Sequence, residues 1–291
     1  MTNDVPARTA LVTGGTGGIG LHTAIGLAAA GYDVTVVGRD AARGAAARVS
    51  IERAVPGARA RFVPADLATL AEVRSLARSL RSRGLVDVLV NNVSGLFRER
   101  CYTGDGIEAT FALSHLSGYL LTELLVGDMV LAGRGRIVTV TSGAIDLADP
   151  TGFDQADVAG RFYGMTAYGR AKLANLAYMA GLANRLHGTG VTVLAADPGT
   201  AGTDTAKSMR SDLFPFPARL AWPLIWLNVR RMSVAQAARS SVLAATSDSY
   251  ETGQVVTPRG QGTAPHPRAA DPSLIEAVHT LSARLAAVPR A

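Results

Sequence analysis

Thr9 to Gly20 reads TALVTGGTGGIG. An apolar strand, Ala10 to Val12, runs into a glycine turn, and the apolar stretch Ile19 to Ala30 behind it predicts a helix. Gly14, Gly18 and Gly20 lack a Cβ, so the turn can be tight and its backbone can approach a ligand closely. The helix N-terminus that follows offers unpaired N–H groups suited to a pyrophosphate. A second strand, Asp33 to Val37, comes next. Strand, glycine turn, helix and strand in that order predict a dinucleotide-binding unit.

Outward from this unit, strand-like runs recur at Arg61 to Val63, Val86 to Val90, Ile137 to Val140, Val191 to Ala195 and Gln254 to Thr257. Helical patterns separate most of them. Such alternation predicts an α/β fold of the Rossmann type: a doubly wound parallel sheet with helices on both faces and right-handed crossovers. The 291 residues, 48% of them hydrophobic, suffice for one large core. No internal repeat or linker breaks the chain. A single domain over 1–291 is expected, with a cofactor-binding half at about 8–145, a catalytic and substrate half at about 146–262, and a tail helix at about 273–288.

In TAYGRAK, Thr166 to Lys172, Tyr168 and Lys172 are four residues apart and share a helix face. An ammonium beside a phenol favours the phenolate, so the expectation is a tyrosine whose pKa is lowered enough to exchange a proton with an alcohol or carbonyl oxygen. Together with the glycine turn, this pair resembles the short-chain dehydrogenase/reductase family, and the likeness spans nearly the whole chain. The family's TGxxxGxG is met by Thr13, Gly14, Gly18 and Gly20, and its YxxxK by Tyr168 and Lys172. The resemblance implies a catalytic serine at Ser142 in RIVTVTSGA and an acidic residue against the adenine at Asp66, beside Leu67. It further implies a PG pair at Pro198 and Gly199 with Thr203 near the carboxamide, and a cofactor loop that also uses Gly15, Thr16, Ile19 and Asn92. TAYGRAKLANLAYMAGLANRL, FALSHLSGYLLTELL and SVAQAARSSVLAATSDSYETGQVV are most similar to the retinol dehydrogenase-like members, which also carry an insertion between serine and tyrosine.

Two positions depart from the family pattern. Where NNAG is usual, the chain reads Asn91, Asn92, Val93, Ser94, Gly95. Ser114 stands where the family has a catalytic asparagine supporting a relay water, so Ser114 is expected either to hold a similar water or to mark altered chemistry. Cofactor choice is decided at the end of the second strand. Gly38 leaves space and Arg39 supplies a fork of donors suited to a 2′-phosphate, which predicts NADP(H), with Arg43 a second contact. The competing reading is that Arg39 pairs with Asp40 at the surface.

From Thr200 to Met232 the chain carries Phe214, Phe216, Trp222, Leu224, Ile225, Trp226 and Leu227, in a protein only 5% aromatic. This predicts a substrate lid with an apolar inner face, opposed by a wall at Ile145 to Tyr163. The expected partner is a lipophilic small molecule, with a homodimer as one option. A net charge of +6 is dispersed along the helices, which argues against nucleic acid. The expectation is of no membrane span, no metal and a cytoplasmic location, the last from the single cysteine, Cys101. The functional expectation is an NADP(H)-dependent oxidoreductase for a secondary alcohol and a ketone, in a bacterial setting associated with secondary metabolism. The rivals are a same-fold enzyme with net non-redox chemistry and a nucleotide-sensing binding protein.

Overall fold

Branched and small apolar residues at Thr9–Thr13 (β1), Asp33–Gly38 (β2), Ala60–Pro64 (β3), Val88–Asn91 (β4), Gly135–Val140 (β5), Val191–Ala196 (β6), Val255–Val256 (β7) and Gly262–Thr263 (β8) form one sheet. The computed structural model describes residues 8–199, 202, 209–216, 218–221, 223 and 232–287. Strand order is β3-β2-β1-β4-β5-β6-β7-β8. All neighbours are parallel except β8, which pairs antiparallel with β7 through Val255 opposite Thr263. The sequence expectation missed β8, since two residues with Gly262 carry no strand pattern. It also began β4 two residues early, because Val86 continues the apolar run but precedes the first pairing at Val88. The seventh strand is only Val255–Val256, shorter than the expected Gln254 to Thr257.

Side chains of successive strand residues go to opposite faces. Leu11, Leu89, Ile137 and Val193 join one core layer, against Leu70–Arg81 (α3), Ala109–Leu131 (α4), Gly164–Arg185 (α5) and Pro272–Ala286 (α7). Ala10, Val12, Val88, Val90, Val138 and Leu194 join the other, against Gly18–Ala29 (α1), Ala41–Ala54 (α2) and Val234–Thr246 (α6). Burial on both faces explains why the central strands read as unbroken apolar runs rather than alternating ones. Order reverses between β1 and β4, whose carboxyl ends therefore diverge into a crevice, the usual ligand position in such sheets.

Helix α4 corrects one expectation. Its 23 residues contain an 18-residue stretch of mean hydropathy 1.2, which meets the length and apolarity of a membrane span, although no such run was expected. The helix is apolar because 83% of that stretch is buried in the protein. A π-turn at Ala112–Leu116 interrupts it and presents Ser114 and His115 to neighbouring helices. His115 Nδ1 lies 2.8 Å from Asn175 Oδ1 on α5, and Nε2 lies 2.8 Å from Ser282 Oγ on α7. The tail helix, capped by Asp271 with Pro272 in its first turn, is thereby tied to the interior.

The His115 ring is 1% exposed and packed on Phe111, Tyr119 and Tyr178. Burial brings its pKa down to about 4, the Asn175 bond opposing and Lys172 adding to the fall. The unfolded chain takes up this proton near pH 6.5, the folded protein only near 4. The stability contributed by the neutral ring is therefore full above pH 6.5 and lost as pH falls toward 4, by about 3 kcal/mol. Urea titrations over that window should show wild type losing stability more steeply than His115→Gln. Parallel losses in the two proteins would refute a neutral buried histidine.

Candidate active site

The glycine turn is braced before it can bind anything. Thr13 Oγ1 accepts from the backbone N–H groups of Asn92 at 3.0 Å and Val93 at 3.1 Å, and donates to the Val90 carbonyl. Asn92 Nδ2 returns a bond of 2.8 Å to the Thr13 carbonyl. Thr13 and Asn92, both expected to meet a cofactor, thus hold the ends of β1 and β4 together. Gly14 and Gly18 have φ of +63° and +53°, which favours glycine. A Cβ on Gly20 would collide with the Gly14 carbonyl, and one on Gly15 would lie 2.7 Å from Val36. Helix α1 starts at Gly17 with extended backbone and no side-chain cap, so the N–H groups around Gly18, Ile19 and Gly20 fit a pyrophosphate.

At the end of β5, Ser142 caps a short 3₁₀ turn, Gly143–Leu147, accepting from Ala144 N–H at 3.3 Å. Tyr168 on α5 meets it there. Ser94 and Ser142 are the serines whose side chains act on the ionisation of the Tyr168 phenol. Lys172 is 1% exposed, donates to the Val140 carbonyl at 2.7 Å, and sits 5.5 Å from the Tyr168 ring centroid. The expectation that the lysine lowers the tyrosine pKa is corrected. Burial pushes Tyr168 up, and it is Ser94 and Ser142 that hold it down against burial. The physical reason is placement: the ammonium faces a carbonyl and the ring rather than the phenol oxygen. Burial also brings Lys172 down to about 8.

Ser114 lies behind this group. Its hydroxyl accepts from Gly95 N–H at 3.0 Å and donates to the Gly95 carbonyl at 3.1 Å, so it holds the loop after β4. The expected relay water would meet this hydroxyl at its one remaining lone pair. Asn175 Nδ2 donates to the Ser114 carbonyl at 2.8 Å. Asn175 and His115 were missed, since only the fold joins positions so far apart. Arg170 was missed too: it is 4% exposed, donates to the carbonyls of Thr151, Gly152 and Gln155, and lies 3.8 Å over the Phe153 ring. Its single sequence signal was an arginine between Tyr168 and Lys172.

The remaining expected residues divide. Arg39 is exposed and makes no ion pair among the described residues, while Asp40 caps α2 by accepting from Arg43 N–H at 2.9 Å, so the surface Arg39 to Asp40 pair is not formed. The Arg43 guanidinium overlies the glycine turn, where a Cβ on Gly17 would come within 2.8 Å of it. Gly38 leaves room for Thr16, whose Cγ2 would lie 2.7 Å from an added Cβ. Asp66 accepts from Ala68 N–H at 3.1 Å, fixing its own turn, and Leu67 is buried in the core, leaving only its backbone for a ligand. Pro198 and Gly199 follow β6, with Gly199 at φ +64° and its N–H donating to Asp197. Thr203, Trp222, Leu224, Ile225, Trp226 and Leu227 lie outside the described residues. Of the expected lid, Phe214 is 2% exposed in an apolar cluster with Ala144, Met165 and Leu213, against which Leu96, Leu147, Met209 and Tyr168 pack. Phe216 is 73% exposed and corrects the expectation of an inward aromatic there. In the expected opposite wall, Phe153 turns into the core beneath Arg170 rather than outward.

A family model described as short chain dehydrogenase matches residues 8–213. Mouse (Mus musculus) retinol dehydrogenase 13 is 31% identical over 283 residues, covering 97% of this chain and 84% of its own length. A protein of Streptomyces sp. (strain C5), provisionally named daunorubicin C-13 ketoreductase DnrU, is 36% identical over 235 residues, with 77% of this chain and 78% of its own covered. Among solved structures, the Pseudomonas aeruginosa RhlG/NADP active-site complex superposes with a TM-score of 0.65 at 26% identity, covering 87% of this chain and 95% of that one.

The glycine contacts make a prediction about stability. Gly20→Ala forces a methyl onto the Gly14 carbonyl and within 2.5 Å of Asn92 Nδ2, so it should destabilise by about 1–3 kcal/mol. A Cβ on Gly18 meets open space, so Gly18→Ala should cost only the left-handed backbone penalty, about 1–2 kcal/mol, and leave the brace intact. Urea unfolding, with hydrogen exchange at the Asn92 and Val93 amides as a local probe, checks this. Loss of protection at those amides in Gly20→Ala but not in Gly18→Ala is the expected outcome.

Proposed function

The chain belongs to the short chain dehydrogenase family, and from that premise we propose that it is an NADP(H)-dependent oxidoreductase interconverting a secondary alcohol and a ketone on a medium-sized lipophilic substrate. The observation that carries the reading is the meeting of Ser142, Tyr168 and Lys172 at the crevice beside the glycine turn, next to an apolar surface. The bound dinucleotide supplies or accepts hydride. The chain's own residues do the rest. The glycine turn and α1 terminus receive the pyrophosphate, and Arg39 with Arg43 receives the 2′-phosphate, the nearby Asp40 being engaged in capping α2. Ser142 orients the carbonyl oxygen, and Tyr168 gives it the proton in the reducing direction. Lys172 keeps a positive charge near the ring and faces the ribose side.

The apolar cluster of Leu96, Leu147, Met165, Met209, Leu213 and Phe214 around Tyr168 supports a lipophilic substrate and excludes water from the reacting oxygen. The retinol and ketoreductase names of its relatives agree with an apolar carbonyl compound. A cytoplasmic location, a homodimer and a place in secondary metabolism belong to the same proposal. The first rests on the lone cysteine and the last on the Streptomyces relative.

Two outcomes are expected. Calorimetry should show NADPH binding at least tenfold more tightly than NADH, about 1.4 kcal/mol, with Arg39→Asp abolishing or reversing the preference. Equal affinities in wild type would remove the NADP(H) assignment. Tyr168→Phe should keep NADPH affinity and lose turnover on ketones by on the order of a hundredfold or more, followed at the NADPH absorbance. Near-normal turnover in that variant would exclude Tyr168 as the proton donor.

A further inference from the structure

We propose that the tail of the chain, 266–286, governs which substrate fits the crevice: Ser282 and Arg268 are positioning residues that set Leu96 and Leu147, the two half-buried leucines that pack with Tyr168 against the apolar cluster. The proposal rests on the alcohol and ketone reading above and adds what holds the substrate walls in place. Its ground is that the tail reaches both walls through separate sets of polar contacts. To one wall the path starts on α7. Ser282 Oγ lies 2.8 Å from His115 Nε2, His115 Nδ1 lies 2.8 Å from Asn175 Oδ1, and Asn175 Nδ2 donates to the Ser114 carbonyl at 2.8 Å. Ser114 Oγ then accepts from the Gly95 N–H at 3.0 Å and donates to the Gly95 carbonyl at 3.1 Å. Leu96 is the next residue. Gly95 is closely packed, because a Cβ there would lie 2.7 Å from Phe97 and 2.9 Å from Leu113, so a shift at Ser114 passes to Leu96.

Donor counting gives this path a direction. Asn175 uses its N–H group on Ser114, so its oxygen accepts from His115, which places the imidazole proton on Nδ1. Nε2 is then an acceptor, and Ser282 donates to it. Ser282 Oγ also lies 2.6 Å from the Val278 carbonyl, but a hydroxyl turned there would leave two acceptors facing each other at 2.8 Å. Each group thus donates to the next, from α7 to the π-turn. To the other wall the path starts ahead of α7. Arg268 Nη1 donates to the Ala148 carbonyl at 3.2 Å, and His266 Nε2 lies 3.4 Å from Asp146 Oδ1. Leu147 is the residue between those two, at the end of the 3₁₀ turn that Ser142 caps. Further along the same segment, Arg284 donates to the Asp154 carbonyl. The glycine turn has its own brace in Thr13 and Asn92, so the cofactor side does not depend on the tail.

The first arm of the test needs neither cofactor nor substrate. Hydrogen exchange read by mass spectrometry follows the segments 93–97, 145–149 and 13–20. Ser282→Ala should speed exchange at 93–97 and Arg268→Ala at 145–149, each by about fivefold or more, with 13–20 unchanged in both. Heteronuclear NMR of the wild-type imidazoles should show His115 protonated at Nδ1 and bare at Nε2 near neutral pH; the opposite tautomer breaks the path at Asn175 and overturns the proposal. The second arm measures steady-state reduction of lipophilic ketones, with NADPH affinity from calorimetry. Each variant should raise the ketone KM by about fivefold, the scale of one methylene leaving its apolar contact, at unchanged kcat and unchanged NADPH affinity. Arg268→Lys, which keeps a donor for the Ala148 carbonyl, should restore KM. Ser282 is buried whereas Arg268 is exposed, so Arg268→Ala carries the test alone should Ser282→Ala fail to fold. Unchanged exchange at both walls overturns the proposal, as does a loss of NADPH affinity in step with KM. Should wild type reduce no ketone while exchange shifts as stated, the redox reading falls and the hold of the tail on both walls stands. Should ketones be reduced with the same KM by wild type and both variants, the redox reading stands and the tail has no part in substrate choice.

Discussion

The brace between Thr13 and Asn92 governs the rest of the site. It spans the place where the sheet order reverses, between two parallel strands whose following segments run to opposite faces. Nothing in the strand ladder holds those segments together beyond the last pairing at Val12 and Val90. The threonine hydroxyl satisfies the Val93 N–H and shares the Asn92 N–H with the Val90 carbonyl, and the asparagine amide satisfies a carbonyl. One side chain from each loop thus sets the glycine turn, on which a pyrophosphate depends, and the segment carrying Ser94. The cofactor side and the proton side of the crevice share one anchor.

Electrostatics around Tyr168 follow from burial before charge. A phenol in an apolar cluster resists ionisation, and the groups opposing that resistance here are serine hydroxyls. Lys172 feels the same burial and gives up part of its preference for the charged form. A tyrosine and lysine at helical spacing therefore imply proximity but not a sign of mutual effect, because each side chain has its own solvation and its own hydrogen-bond partner.

Much of the fold was legible because it is written in local pattern. Strands buried on both faces read as short apolar runs, and the glycine turn has a spacing that few other structures demand. Tyr168 and Lys172 were legible for the same reason, being one helical turn apart. What escaped depends on contacts between distant positions. Nothing near Ser114 says that its hydroxyl grips Gly95, and Asn175 reads as a polar residue in a helix until its bonds to Ser114 and His115 are seen. Asp66 and Leu67 show the converse limit: a motif placed them at the adenine, whereas the turn and the core also claim their side chains. Val255–Val256 and Gly262–Thr263 are too short to carry a period at all.

Arg170 grips the segment after β5 through the main-chain carbonyls of Thr151, Gly152 and Gln155 and by stacking over the Phe153 ring. Arg100 bonds the carbonyls of Val158 and Gly160 and adds an ion pair to Asp157 and a contact over the Phe162 ring. The carbonyl bonds are blind to side-chain identity, whereas the contacts to Phe153, Asp157 and Phe162 are not. Residues of this segment other than Phe153, Asp157 and Phe162 can diverge without losing their moorings, while the helix that carries Arg170 stays in register with them. The carbonyl anchors make 154–163 the natural stretch in which to vary side chains, with both arginines, Asp157 and Phe162 left in place.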